Sequence, residues 1–173
     1  CKFKFLRANN TGNVYINDVR LINAVPSFRA AYDTAPTTVA DGATYVLLYD
    51  DASNAPNFDL GGNYTAGTGI FVAPRDGVYE FEAQLSTSHS DPTNYNDVYY
   101  TSNLAILVEG AAVAVTYGDM LLSRHISQFR VATGPLALSK GDEVKVKLEN
   151  NSGKVMTLLT TVGHGYFTGK QID

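Results

Sequence analysis

The chain has 173 residues, of which 45% are hydrophobic and 17% charged. That balance suits one domain with a sizeable buried core and is unlike a disordered segment. The net charge of −4 comes with no cluster of Lys and Arg, which argues against a nucleic-acid partner; a single cysteine excludes an internal disulfide framework, and the longest apolar runs, 45–49 and 104–108, are too short to span a membrane.

Cys1 opens the chain with neither Met nor a signal peptide, so a fragment or a processed product is expected, a lipidated bacterial N-terminus being the alternative. Phe3-Lys4-Phe5-Leu6 and Val14-Tyr15-Ile16 flank a polar stretch containing Gly12 and predict a hairpin. Residues 1–25 therefore read as an N-terminal β-hairpin or the end of an upstream stalk or module, and residues 26–173 as the main domain.

The main domain reads as strand after strand. Phe28 sits among small residues in a predicted opening strand over 27–32, and Ile70-Phe71-Val72 forms a short strand after Gly67-Thr68-Gly69. Pro74-Arg75-Asp76-Gly77 has turn chemistry, since Pro fixes φ and Gly permits positive φ. Over 78–85 the pattern then alternates, with Tyr79, Phe81, Ala83 and Leu85 on one face and Glu80, Glu82 and Gln84 on the other, the period of a half-buried antiparallel strand. Further strands are predicted over 113–117, 126–132, 143–149 and 156–162. The continuously apolar 104–108 predicts a strand buried on both faces, one of which a neighbouring subunit could cover in an oligomer. No capped amphipathic helix is present, and the regular strand spacing indicates an all-β sandwich or barrel.

The polar segment 86–103 reads as one long loop, a feature that is often functional. Tyr, Ser and Asn are the residues of binding loops, combining rigid aromatic area with adaptable hydrogen bonding. His89, Asn94, Tyr95, Asn96, Tyr99 and Tyr100 are the candidate ligand-binding residues, and an ordinary solvated loop is the plain alternative. Asp91 and Asp97, beside Asn94 and Asn96, are candidate calcium ligands, as are Asp50 and Asp51, although the spacing fits no standard loop. No other cofactor is expected.

Catalytic patterns are missing. His89, His125 and His164 are far apart, and Asp119, Ser123, His125 and Ser127 are close only along an extended segment, which is not triad geometry. Gly61-Gly62 and Gly67-x-Gly69 read as turn glycines, because no helix follows to receive a phosphate. The expectation is that this is not an enzyme. Asn9, Asn63 and Asn150 each head an Asn-x-Ser/Thr sequon.

The spaced pattern Asp59-x₄-Tyr64-x₆-Phe71-x₅-Gly77-x-Tyr79-x-Phe81 resembles the signature of the C1q-like globular head family, within the tumour-necrosis-factor superfamily. Ser27-Phe28-Arg29-Ala30-Ala31-Tyr32 is similar to that family's opening strand, Leu138-x-x-Gly141-Asp142-x-Val144 to its late turn-strand, and Phe167-x-Gly169 to its closing strand. Ser53 and Ala83 stand where the family pattern has aromatics.

The resemblance implies an antiparallel jelly-roll β-sandwich that assembles as trimers. Phe28, Tyr64, Phe71, Tyr79, Phe81 and Phe167 would build its core or its subunit seam. It further implies a non-catalytic extracellular head that binds a glycan or protein on a cell or virion surface. The absence of disulfides favours the tip of a bacterial surface protein or a viral fibre. Alternatives are a purely structural trimerisation cap or assembly subunit, or a carbohydrate-binding module appended to a larger enzyme. The last rests on residues 13–19, which resemble the closing strand of bacterial carbohydrate-binding jelly rolls.

Overall fold

A computed structural model describes residues 25–32, 38–52, 56–89, 100–120, 126–160 and 165–173. The described strands are β1 (Ser27–Ala31), β2 (Thr38–Val39), β3 (Thr44–Val46), β4 (Phe58–Leu60), β5 (Tyr64–Thr65), β6 (Ile70–Val72) and β7 (Gly77–His89). They continue with β8 (Tyr100–Val108), β9 (Ala111–Met120), β10 (Ile126–Ala132), β11 (Leu136–Leu138), β12 (Glu143–Glu149), β13 (Met156–Leu158) and β14 (Gly165–Gln171). The predicted hairpin over 1–25 lies almost wholly outside the described residues.

All the strand pairs are antiparallel and form two sheets. In the first, β4, β1, β14 and β7 lie side by side, β10 and β11 line the far edge of β7, and β13 and β2 extend the sheet at one end. The second runs β5-β6-β12-β8-β9, with β3 also on β12. The alternation along β7 sets how the sheets face: Tyr79, Phe81, Ala83 and Leu85 are buried between them, while Glu80, Glu82 and Gln84 point outward.

The core is aromatic. Phe28 stacks on Tyr64 at 4.7 Å and on Phe71 at 5.1 Å between ring centroids, and meets Phe167 edge-on at 4.9 Å. These separations are those of attractive ring pairs. Two tyrosines bring hydroxyls inside and satisfy them: Tyr64 Oη donates to the Tyr49 carbonyl at 2.8 Å, and Tyr49 Oη to the Gln84 carbonyl at 3.1 Å. Burial pushes both phenols well above their ordinary range, so they stay protonated donors.

Gly69 and Gly169 are needed where neighbouring groups press on the backbone. Gly69 has φ +68°, and a Cβ there would strike the Leu47 carbonyl oxygen. At Gly169 a Cβ would lie within 2.6 Å of ring carbons of Phe28 and Phe81. The Phe-x-Gly spacing of the closing strand thus supplies one core ring and leaves room for two others.

Two expectations are corrected. The segment 86–103 is not one loop: β7 runs on to His89, and β8 begins at Tyr100. Short Ser and Thr side chains sit well in a strand that has partners on both sides, here β10 and β13, and Ser86 and Thr87 are buried. The strand at 156–162 is shorter than predicted and ends at Leu158, although the Leu159 amide still donates to the Ser86 carbonyl at 2.9 Å. The strand over 104–108 has Leu104 to Leu107 buried on both faces, as expected, and within a single chain. The outward Ala105 and Leu107 lie between Lys147 and Lys145 of β12 on one side and Val115 and Ala112 of β9 on the other.

Candidate functional site

At one end of the sandwich, the strands that lead into and out of the candidate loop come together. His89 of β7 pairs with Met156 of β13, Ile126 of β10 with Ser88, and Tyr100 of β8 with Met120 of β9. Asp91, Asn94, Tyr95, Asn96, Asp97 and Tyr99 lie outside the described residues. Of His89 and Tyr100, only the backbone register is described. β7, in the first sheet, ends at His89, and β8, in the second, begins at Tyr100.

Beneath that end is a fully satisfied buried amide. Asn150 Nδ2 donates to the Val39 and Lys154 carbonyls, each at 2.8 Å. Its Oδ1 accepts from Ser102 Oγ at 3.3 Å and from the Ser152 amide at 3.1 Å. One side chain thus ties β2, β8 and the 150–154 turn together and forms a rigid base. Asp51 accepts from Asn57 Nδ2 at 3.0 Å, and its backbone pairs with Ala31. Among the described residues, no group of three or more His, Cys, Asp or Glu is placed to hold a metal ion.

The outward face of the first sheet carries a polar ladder. The Arg29 guanidinium lies 4.3 Å from the Tyr166 ring centroid, the Tyr166 hydroxyl donates to Glu82 Oε1, and Arg130 Nε donates to the same oxygen at 2.9 Å. These residues stand on β1, β14, β7 and β10 and so cross the sheet. The Arg130 hydrogen bond holds the Glu82 carboxyl below its ordinary range despite partial burial. Burial first, then the same carboxylate, pushes the Tyr166 phenol up. Lys170 pairs with Glu80 at 3.4 Å, and among the described residues the buried Arg29 Nε has no acceptor.

Beside the ladder is an open cavity of about 310 Å³, lined by Glu80, Glu82, Thr133, Thr168 and Lys170 among others. Phe58 and Leu60 of β4 stand in register with Arg29 and Ser27 and are 40% and 50% exposed. The face offers donors, acceptors and apolar area, which is the chemistry of docking. The six aromatics assigned to core or seam, Phe28, Tyr64, Phe71, Tyr79, Phe81 and Phe167, are all buried inside one chain. An exposed face must be built from other residues. The ladder escaped the sequence reading because Arg29, Glu82, Arg130 and Tyr166 are far apart along the chain; the only signal was the charged half of the β7 alternation.

No protein-family model matches the chain, and neither does any curated protein. Among solved structures it is similar to the globular domain of zebrafish complement 1qA protein, at 16% identity with a TM-score of 0.51. The match covers 86% of this chain and 98% of that one. Likeness at this identity concerns fold: the chain has a C1q-like, all-β antiparallel sandwich. No helix among the described residues is long and apolar enough to cross a membrane.

Proposed function

We propose that this C1q-like sandwich is a non-catalytic trimeric recognition head that works outside the cell, at the tip of a bacterial surface protein or viral fibre. In this reading residues 1–25 connect the head to a stalk. The observation that carries it is the outward face of the first sheet. There, exposed Phe58 and Leu60 flank a cross-strand ladder of charges, and the buried Arg29 Nε has no acceptor among the described residues. A second copy seated on that face would bury the apolar pair and offer Arg29 an acceptor.

Recognition then falls to residues 90–99, which join β7 to β8 along the chain. The ligand is a glycan or protein on a surface, and calcium is a candidate stabiliser of that segment. Threefold assembly would multiply weak single-site binding through effective concentration.

Light scattering with and without a calcium chelator tests the assembly. The expected mass is three times the 18.7 kDa of one chain. A clean monomer overturns the trimer and with it the avidity mechanism. Replacing Tyr95, Tyr99 and Tyr100 together by Ala is expected to abolish surface binding while leaving the mass unchanged. Intact binding in that variant would move recognition to another surface.

A further inference from the structure

The outward face of the second sheet holds a different constellation. Tyr117 of β9, Asn103 of β8 and Glu149 of β12 are direct neighbours in register, forming a row across the strands. Tyr117 is 69% exposed, an unusual outlay of aromatic surface on an edge strand, where charged residues ordinarily blunt the edge. Glu149 beside it is already organised: Asn151 Nδ2 donates to Oε1 at 3.1 Å, Asn103 Nδ2 donates to Oε2 at 3.3 Å, and Lys147 Nζ lies 3.7 Å from Oε2. The next row is lower. Buried Ala105 forms a floor between Val115, 42% exposed, and Lys147.

From this arrangement we propose that Tyr117, Asn103, Glu149 and Asn151 form a saccharide-binding site. The ligand class is a neutral pyranose with neighbouring equatorial hydroxyls. Its apolar C–H face lies against the Tyr117 ring, and its hydroxyls meet the fixed carboxylate and amides. A sugar needs both features at once, an apolar platform and a planar set of donors and acceptors at its edge. The amides also hold the carboxyl below its ordinary range, Asn151 contributing most, so it remains an ionised acceptor. Because these groups are fixed before binding, little ordering cost is added. The proposal rests on the recognition reading and names a ligand class for it.

The test titrates the whole chain with chitotriose, cellotetraose and mannotriose, following backbone amide shifts by NMR. At least one is expected to bind and to shift residues of β8, β9 and β12. Tyr117→Ala and Glu149→Gln, each with an unchanged melting temperature, should then weaken that binding about tenfold or more. Overturning results are no shift with any of the three sugars, or equal binding by wild type and Tyr117→Ala. A Tyr117→Ala variant of altered native mass that still binds sugar would assign the face to a subunit contact instead. Any of these failures leaves the recognition reading intact if surface binding persists; loss of assembly together with surface binding would sink that reading on its own.

Discussion

Asp59 reaches from β4 to the start of β5, accepting the Tyr64 amide at 3.1 Å with one carboxylate oxygen and the Asn63 amide at 3.1 Å with the other. It thereby turns the chain from the first sheet into the second and sets the Tyr64 ring against Phe28. The opening acid of the sequence pattern is a crossover cap. Replacing it with Ala frees both amides and should cost about 1–2 kcal/mol, the scale of a lost cap. Asp59→Asn, with one acceptor oxygen left, should cost less. Urea unfolding at constant m-value checks both, and equal losses would refute the two-oxygen account.

Closer packing limits Gly169. A Cβ there meets the Phe28 and Phe81 rings, so Gly169→Ala should destabilise by about 1–3 kcal/mol through overpacking. Combining it with Phe81→Leu should cost less than the sum of the single changes, because the smaller side chain relieves the clash. Strict additivity in the double-mutant cycle would show that the rings give way by another route.

The Glu82 carboxyl gives a pH signature. Its folded pKa lies below the ordinary glutamate range, chiefly through the Arg130 hydrogen bond. A depressed carboxyl contributes stability that is fully present above the unfolded value and fades as pH falls through the folded one. The Tm difference between wild type and Glu82→Gln should therefore be largest near neutrality and close on acidification below the usual glutamate range. A gap that persists in strong acid would mean that packing, rather than charge, sets the effect.

Asn150 is fully buried and uses both ends of its amide. Asn150→Ala strands several polar groups without water and should cost about 3 kcal/mol or more. Its sequon should also stay unmodified in the native protein, because the amide nitrogen already makes two buried hydrogen bonds. Mass spectrometry of folded protein from a glycosylating host checks this, and a glycan at Asn150 on native chain would contradict it.

Local periodicity carried much of the architecture. The alternation at 78–85 located the central strand and its inner face, because period two is written into consecutive residues. Strands whose outer residues are polar throughout were harder to see. Ser86, Thr87 and Ser102 looked like loop, since their burial depends on β10, β13 and the Asn150 amide, which are remote in sequence.

The all-β class and the inward face of the central strand, with Tyr79 and Phe81, were legible along one stretch of chain because alternation is local, whereas Phe28, Tyr64, Phe71 and Phe167 were assigned through the family resemblance. Only the tertiary structure decided what those strands present to the outside. The Arg29–Tyr166–Glu82–Arg130 ladder and the Tyr117–Asn103–Glu149 row are each assembled from separate strands, and their neighbours are set by sheet order and register. Register is a property of paired strands: no single stretch contains it, and a shift of one residue would exchange every inward side chain for an outward one.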